Sequence, residues 1–248
     1  MNALSKLKKA DGAEDNGDRV GGFEPVASGI YDATIKVAYL GKSEKSDAVS
    51  VTVLADLNGR ELRETIWVTT GKGDTFYTDK QDPKRKIDLP GFTTVNDLCL
   101  LSTGMPLDEQ EDVDKVVKVY NPTEKKEVNT PVKAIAGLIG AKVKLGVLRQ
   151  IVNKQKLNDS GKYENTGETR TENTIDKVFH AESGRTVTEY KQGIEAPEFL
   201  NAWKERNEGK DRNRTKAGAD AGAGSSGTGR PGAAGNSASQ AKKSLFGS

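Results

Sequence analysis

The sequence predicts a mainly β fold, and three features of the chain carry that prediction. Between residues 29 and 69, apolar and polar residues alternate in three successive runs, which is the period-two pattern of half-buried antiparallel strands. The segment Asp56–Gly59 separates the second run from the third, and its Asn-Gly pair supplies the positive φ values that a tight hairpin requires. One clear helical pattern, Phe92–Thr103, follows the three runs. We therefore expect the core to begin with a three-stranded meander.

Side-chain parity assigns two faces to this meander. The apolar face takes alternate residues of each run: Tyr31, Ala33, Ile35, Val37 and Tyr39; Val49, Val51 and Val53; Leu62, Ile66 and Val68. The opposite face of the third run carries Arg63, Thr65 and Trp67. An aromatic ring beside an arginine on a curved sheet is typical of a surface that stacks bases and contacts phosphates. Packing of Trp67 within the protein is the alternative interpretation.

The stretch after the meander is less regular. Residues 71–86 show little periodicity and are predicted as a loop, and residues 108–114 as an acidic, solvated loop. A short strand is predicted over Val116–Tyr120, and a short helix or irregular apolar segment over Val132–Ile139. Two longer strands, Ala141–Val152 and Glu168–Phe179, are predicted to follow and to be joined by a basic hairpin loop.

Two helices have recognisable boundaries. In the first, Thr94 is expected to cap the N-terminus and Gly104 to end the helix. A last helix is predicted over Glu198–Glu208, preceded by a proline, with Trp203 packed against the domain.

Composition limits the organisation of the chain. Of its 248 residues, 34% are hydrophobic and 30% are charged, which fits one modest core with polar ends. The predicted divisions are a flexible N-terminal arm over 1–24, one domain over 25–210 and a disordered, Gly/Ala/Ser-rich tail over 211–248. Cys99 is the single cysteine, so an internal disulfide is excluded and a packing role is expected. No apolar leader or membrane-length run is present, so we expect a soluble, intracellular protein that is not secreted.

The order of elements predicts a particular β architecture. Three strands, a helix and two more strands are the order of an OB-fold, with residues 105–140 as an insertion before strand four. The full expectation is a five-stranded OB-fold-like barrel with that insertion, a C-terminal helix and a disordered tail. In an OB-fold the middle strands and the two flanking loops form the binding face for nucleic acid.

Candidate nucleic-acid contacts follow from this order and from the position of cations and aromatic rings. Lysines and arginines would contact phosphates and aromatic rings would stack on bases. The candidates are Lys42, Lys45, Arg63, Trp67, Lys72, Phe76, Tyr77, Lys80, Lys84, Arg85, Lys86, Lys142, Lys144, Arg149, Lys154, Lys156, Lys162 and Tyr163. In the tail, Leu245 and Phe246 are candidates for docking a partner protein.

The residues give little basis for an enzyme. His180 is the single histidine, so we expect neither a Cys/His metal site nor a nucleophile–histidine pair. The carboxylates of 108–114 could hold Mg²⁺, but a solvated loop is favoured. The Gly-Lys-Gly-Asp-Thr string at residues 71–75 lacks the spacing of a phosphate-binding loop. No catalytic residue, metal or cofactor is therefore predicted.

Three segments of the chain resemble bacteriophage single-stranded DNA-binding proteins: Gly29–Lys36, Val95–Gly104 and Asn173–Phe179. The resemblance extends over roughly residues 25–210. It implies an OB-fold that coats single-stranded DNA during replication, recombination and repair in the cytoplasm of an infected bacterium, and a C-terminal tail that recruits replication proteins. The tail differs from the family pattern, in which acidic residues often precede a terminal aromatic, because Asp220 is the only acid after Lys216.

Two other functions remain open at this point. A strand-annealing recombination factor would use the same surface, and a viral adaptor protein would use the tail without binding nucleic acid. The sequence leaves open whether the protein forms a homo-oligomer.

Overall fold

The computed structural model describes residues 24–121, 124, 126–158 and 163–215. Of the predicted arm over 1–24 only Glu24 lies in this part, and of the predicted tail over 211–248 only residues 211–215, whose first three, Asp211–Asn213, form a strand. The candidates Lys162, Leu245 and Phe246 lie outside it. The described chain is mainly β and forms a large antiparallel sheet that is not closed. The five-stranded barrel expected from the sequence is therefore not confirmed.

The strands are β1 (Gly29–Lys42), β2 (Val49–Leu57), β3 (Arg60–Trp67), β4 (Phe76–Thr78), β5 (Lys86–Asp88), β6 (Asp112–Asn121), β7 (Lys126–Ile135), β8 (Lys142–Leu157), β9 (Tyr163–His180) and β10 (Asp211–Asn213). The helices are α1 (Pro90–Thr103), α2 (Val187–Gln192) and α3 (Glu198–Asn207). The large sheet contains β3, β2, β1, β8 and β9 as neighbours, with β10 lying parallel to β8. Strand β7 joins the sheet beside the end of β1 and carries β6, while β4 and β5 form a separate pair.

The predicted meander is confirmed. Strands β1, β2 and β3 pair antiparallel in succession. The turn between β2 and β3 places Asn58 at a φ of 53° and Gly59 at a φ of 91°, as the Asn-Gly pair predicts. The Asp56 carboxylate accepts a hydrogen bond from the Gly59 amide at 3.2 Å and stabilises this turn.

Strand β1 contains a bulge that changes its face. Ile35 pairs with Ala55 and Val37 pairs with Leu54, so Lys36 is an extra residue without a partner on β2. An extra residue shifts the parity of everything after it. Ala33 and Ile35 therefore lie in the main core, whereas Val37 and Tyr39 lie in a second cluster. The prediction of one continuous apolar face for β1 is wrong beyond Ile35.

The main core lies between the inner face of the sheet and α1. Fully buried members come from β1, β2, β3, β8 and the helix: Ile35, Val51, Val53, Ile66, Leu98, Val143 and Leu145. Cys99 is buried in this core, as predicted.

Helix α1 has the predicted end but not the predicted start. The first helical residue is Pro90, and Thr94 donates a hydrogen bond to the Pro90 carbonyl at 3.0 Å from within the helix instead of capping it. The fixed φ of proline suits the first position of a helix, which explains the earlier start. Gly104 ends the helix in the left-handed conformation with a φ of 78°.

The insertion before β8 is a long hairpin. The acidic side chains of 108–114 are exposed, as predicted, but the stretch is not all loop, because it contains most of a short 3₁₀ turn at Leu107–Glu109 and the first residues of β6. The stretch 132–139 is not a helix, because it forms the end of β7 and a second 3₁₀ turn. Lys133 lies 3.0 Å from Asp114 across the hairpin and offsets its charge, so acids are accommodated on the strand. The predicted short strand at 116–120 is confirmed as part of β6.

Two smaller features complete the fold. The stretch 71–86, predicted as a loop, contains β4 and the start of β5. Helix α3 is confirmed, and its Trp203 is 5% exposed and donates to Asp176 at 2.7 Å. The indole lies over Gly146, where an added Cβ would come within 3.1 Å of the ring. No helix within the described ranges is long and apolar enough to cross a membrane.

Candidate nucleic-acid interface

The outward face of the meander consists of three rows of side chains fixed by strand pairing. The rows are Gly41, Ser50 and Trp67; Tyr39, Thr52 and Thr65; and Val37, Leu54 and Arg63. Trp67 is half-buried, so part of its ring is accessible. The hydroxyls of Thr52 and Thr65 lie 2.9 Å apart and bond across the middle row. Alternation along β3 places Arg63 and Trp67 on this outward face, as predicted.

The β6–β7 hairpin packs against one end of this face. Its aliphatic residues, with Ala134 at the centre, surround Val37 and Tyr39 to form the second apolar cluster. The Arg63 guanidinium donates to the Tyr39 hydroxyl at 2.7 Å and to the Lys118 carbonyl at 3.1 Å. The hairpin thereby forms a wall beside the face, and Arg63 is held where wall and face meet.

Two loops meet at the opposite end, next to Trp67. The Asp47 amide donates to the Gly71 carbonyl at 3.2 Å, which joins the β1–β2 loop to the loop after β3. Lys42, Lys45 and Lys72 are therefore brought to one end of the meander. Lys42 lies 3.5 Å from Asp47, but both side chains are largely exposed, so this ion pair is weak. Within the described residues, Lys45 and Lys72 form no ion pair.

The β4–β5 hairpin holds a second group of predicted contacts. The Lys86 ammonium lies 4.2 Å from the centroid of the Phe76 ring, which is a cation–π contact. At its turn, Arg85 lies 3.7 Å from Asp79, while Lys80 and Lys84 are exposed. Tyr77 points to the other side of this hairpin, into a cleft beside α1 and β9.

The third group lies on β8 and β9, and most of its cations are paired. Lys144 bonds Asp32, Lys154 bonds Glu168 at 2.9 Å, and Arg149 binds both oxygens of Asp211 at 2.6 and 3.1 Å. The hydrogen bond from Lys154 lowers the pKa of Glu168, and the bond to Asp211 raises the pKa of Arg149. Among the described residues of this group, Lys142 and Lys156 are exposed and form no ion pair, and Tyr163 is an exposed aromatic residue. The positive charge predicted for this hairpin is therefore largely offset.

A buried acid lies where β3 and β9 approach each other without pairing. Glu64 accepts a hydrogen bond from the Thr174 hydroxyl at 2.6 Å and another from the Ile175 amide at 2.5 Å. Burial raises the pKa of Glu64 to about 7, and these two bonds lower it only in part. The carboxyl lies on the face of β3 opposite to Arg63 and Trp67 and bridges the open side between β3 and β9.

Several interface residues were not predicted from the sequence. Tyr39 lies on the outward side because the bulge changes the parity of β1, and Thr52 lies there because it alternates with Val51 and Val53, although both side chains are buried. Lys115 has the parity of Val113 and Val117, so it lies on the hairpin side that faces the meander, and it is exposed. Val113, Val117 and Val119 share one parity, and this alternation is the signal that would have extended the predicted strand 116–120 back to Lys115.

The described residues contain no group of three or more His, Cys, Asp or Glu side chains that could hold a metal ion. Comparisons of the chain with protein-family models, curated proteins and solved structures find no match. What the interface can do is therefore argued from its own geometry.

Proposed function

We propose that this protein binds single-stranded DNA, without catalysis, on the outward face of β1, β2 and β3. The observation that carries the proposal is the half-exposed Trp67 ring, which lies between the fixed Arg63 guanidinium and the cations Lys45 and Lys72. A ring flanked by cations allows a base to stack while the phosphates on either side are neutralised.

The arrangement of strands supports an OB-fold-like architecture for this function. Strands β1, β2, β3, β8 and β9 with α1 after the third strand follow the OB order, and the β6–β7 hairpin is the insertion before the fourth strand. Strands β3 and β9 are not paired through their backbones, and the Glu64 carboxyl on β3 connects them by hydrogen bonds to Thr174 and Ile175 on β9. An OB-fold is partly open by nature, so an open ladder is compatible with this architecture.

The small, polar rows of the face suit a sequence-tolerant role. Ser50 and Thr52 are buried and Thr65 is exposed, so these three residues present no bidentate donor set for one particular base edge. Stacking depends on the π-face that every base has, and phosphate contacts are independent of sequence. A protein with this face would coat single strands in general, as the resemblance to phage single-stranded DNA-binding proteins implies for replication and recombination.

The first experiment is a titration with labelled oligo-dT at low and high salt, beside the matching duplex. We expect tight, salt-sensitive binding to the single strand and weaker binding to the duplex. Trp67→Ala is expected to weaken oligo-dT binding by more than tenfold, because stacking of a base is worth about 1–3 kcal/mol. Phe199→Ala is the matched control, since Phe199 is an exposed aromatic on α3 and not on the face. Absence of binding at low salt would refute the proposal.

The two tryptophans offer a direct test of stacking. Trp203 is buried under α3, so a Trp203→Phe variant leaves Trp67 as the single indole. Oligo-dT should quench the fluorescence of that variant. A titration curve with no change in emission, in a variant that still binds DNA, would remove Trp67 from the site.

A further inference from the structure

A cleft lies where the β4–β5 hairpin, the start of α1 and the middle of β9 meet. It has a volume of about 320 Å³. Each of these elements contributes side chains to its lining: Tyr77 and Asp88, Thr94 and Asp97, and Asp176 and Val178. Tyr77 is 37% exposed, so its ring forms an accessible apolar side of the cleft.

The cleft is negatively charged, in contrast to the loops beside Trp67. Three carboxylates line it, of which Asp97 lies 3.2 Å from the Lys177 ammonium and Asp176 lies 3.7 Å from the Arg212 guanidinium, so one negative charge is left without an ion pair. Asp176 accepts the Trp203 indole N–H, whereas Asp88 forms no ion pair with any described residue. The unpaired Asp88 carboxylate disfavours a phosphate in this cleft, so Tyr77 is poorly placed to stack on DNA. The cleft suits a peptide whose cationic side chains lie next to apolar ones.

We propose that this cleft binds the segment Lys242–Phe246 of the same chain. That segment reads Lys-Lys-Ser-Leu-Phe, two cations followed by an aliphatic and an aromatic residue. The ammonium groups match Asp88 and the neighbouring carboxylates, and the Phe246 ring matches the apolar side formed by Tyr77. The inference does not depend on DNA binding.

The path of the chain favours this occupant over a separate protein. Arg212 and Arg214, near the end of the described chain, line a neighbouring pocket that shares Pro90, Thr94 and Asp176 with the cleft. Residues 216–241, which are rich in Gly, Ala and Ser, lead from there to Lys242. A linker of this composition and of about 26 residues would have an average span of about 30 Å and give an effective concentration near the millimolar range. A weak peptide contact would therefore be occupied in the intact chain.

The test uses the full chain with a nitroxide spin label on Ser248→Cys. Cys99 is buried and burial raises the pKa of its thiol to about 12, so the label reacts at the new cysteine. We expect the amide signals of Ile87, Asp88 and Val178 to lose at least half their intensity at low salt and to recover at high salt. Asp88→Lys and Phe246→Ser should each restore the signals, whereas Asp74→Lys, on an exposed loop, should not.

Three results would overturn the proposal. The first is unbroadened signals at the cleft. The second is equal broadening from a label on Ser225→Cys, which would report the tether alone. The third is broadening that arises only between copies, seen when spin-labelled chains are mixed with isotope-labelled chains, which would assign the cleft to a second copy.

Discussion

Replacing Glu64 with glutamine should make the stability of the protein less dependent on pH. Burial raises the pKa of Glu64 from an ordinary value of 4.5 to about 7. A group whose pKa is higher in the folded state binds more protons there, so its contribution is complete below pH 4.5 and is lost as pH rises through about 7. At 1.36 kcal/mol per pKa unit, the loss amounts to about 3 kcal/mol.

Glutamine imitates the protonated acid at this position. Its carbonyl can accept from the Ile175 amide and its NH₂ group can donate to the Thr174 hydroxyl, so both bonds of Glu64 have an equivalent. We expect the two proteins to unfold at similar urea concentrations at pH 4.5. At pH 8.5, Glu64→Gln should be the more stable by about 3 kcal/mol.

The assay is urea unfolding at intervals between pH 4.5 and 8.5. Glu61→Gln, on the exposed side of the same strand, removes a carboxylate without touching the buried site and serves as the control. The reasoning would be refuted if the wild type and Glu64→Gln lost stability in parallel across this range.

Three further outcomes are expected. Gly91→Ala should destabilise the protein by about 3 kcal/mol in thermal or urea unfolding, because an added Cβ would lie 2.1 Å from the Trp67 carbonyl oxygen, and a smaller effect than 1 kcal/mol would contradict this packing. Lys45→Ala combined with Lys72→Ala should reduce the slope of log affinity against log salt by about 1.4, since each phosphate contact contributes about 0.7 on a single strand; an unchanged slope would exclude both cations from the site. Tyr163→Ala should weaken oligo-dT binding about tenfold if the β8–β9 hairpin reaches the strand, and equal affinities would place its 59% exposed ring outside the interface.

Elements specified by local chemistry were predictable. The Asn-Gly turn, the glycine that ends α1 and the alternation in β2 and β3 each depend on a few adjacent residues, and the structure confirms them. The burial of Trp203 also followed from the spacing of apolar residues along α3.

The bulge in β1 could not be predicted from alternation. Val37 and Tyr39 are apolar, like Ala33 and Ile35, so the pattern looks continuous although the strand changes face at Lys36. The first half of β1 packs in the main core, and the β6–β7 hairpin supplies the apolar residues against which the second half packs. Only a tertiary contact of this kind decides where the extra residue lies.

Glu64 was missed for a different reason. Parity places it on the apolar face between Leu62 and Ile66, so the sequence contained the signal that an acid would be buried. What the sequence did not contain is its partner, since Thr174 lies 110 residues further along the chain. A buried acid becomes interpretable only when its hydrogen-bond donors are known.

Because the β6–β7 hairpin packs on a separate apolar cluster, its length can change with little effect on the main core. Apart from Ile135 at the end of β7, which belongs to the main core, the apolar residues of the hairpin pack around Val37 and Tyr39 in a cluster of their own. Units with their own small core open locally at a lower free energy than the whole domain. Lengthening or shortening this hairpin would therefore reshape one side of the outward face of β1, β2 and β3 while the volume of the main core stays constant.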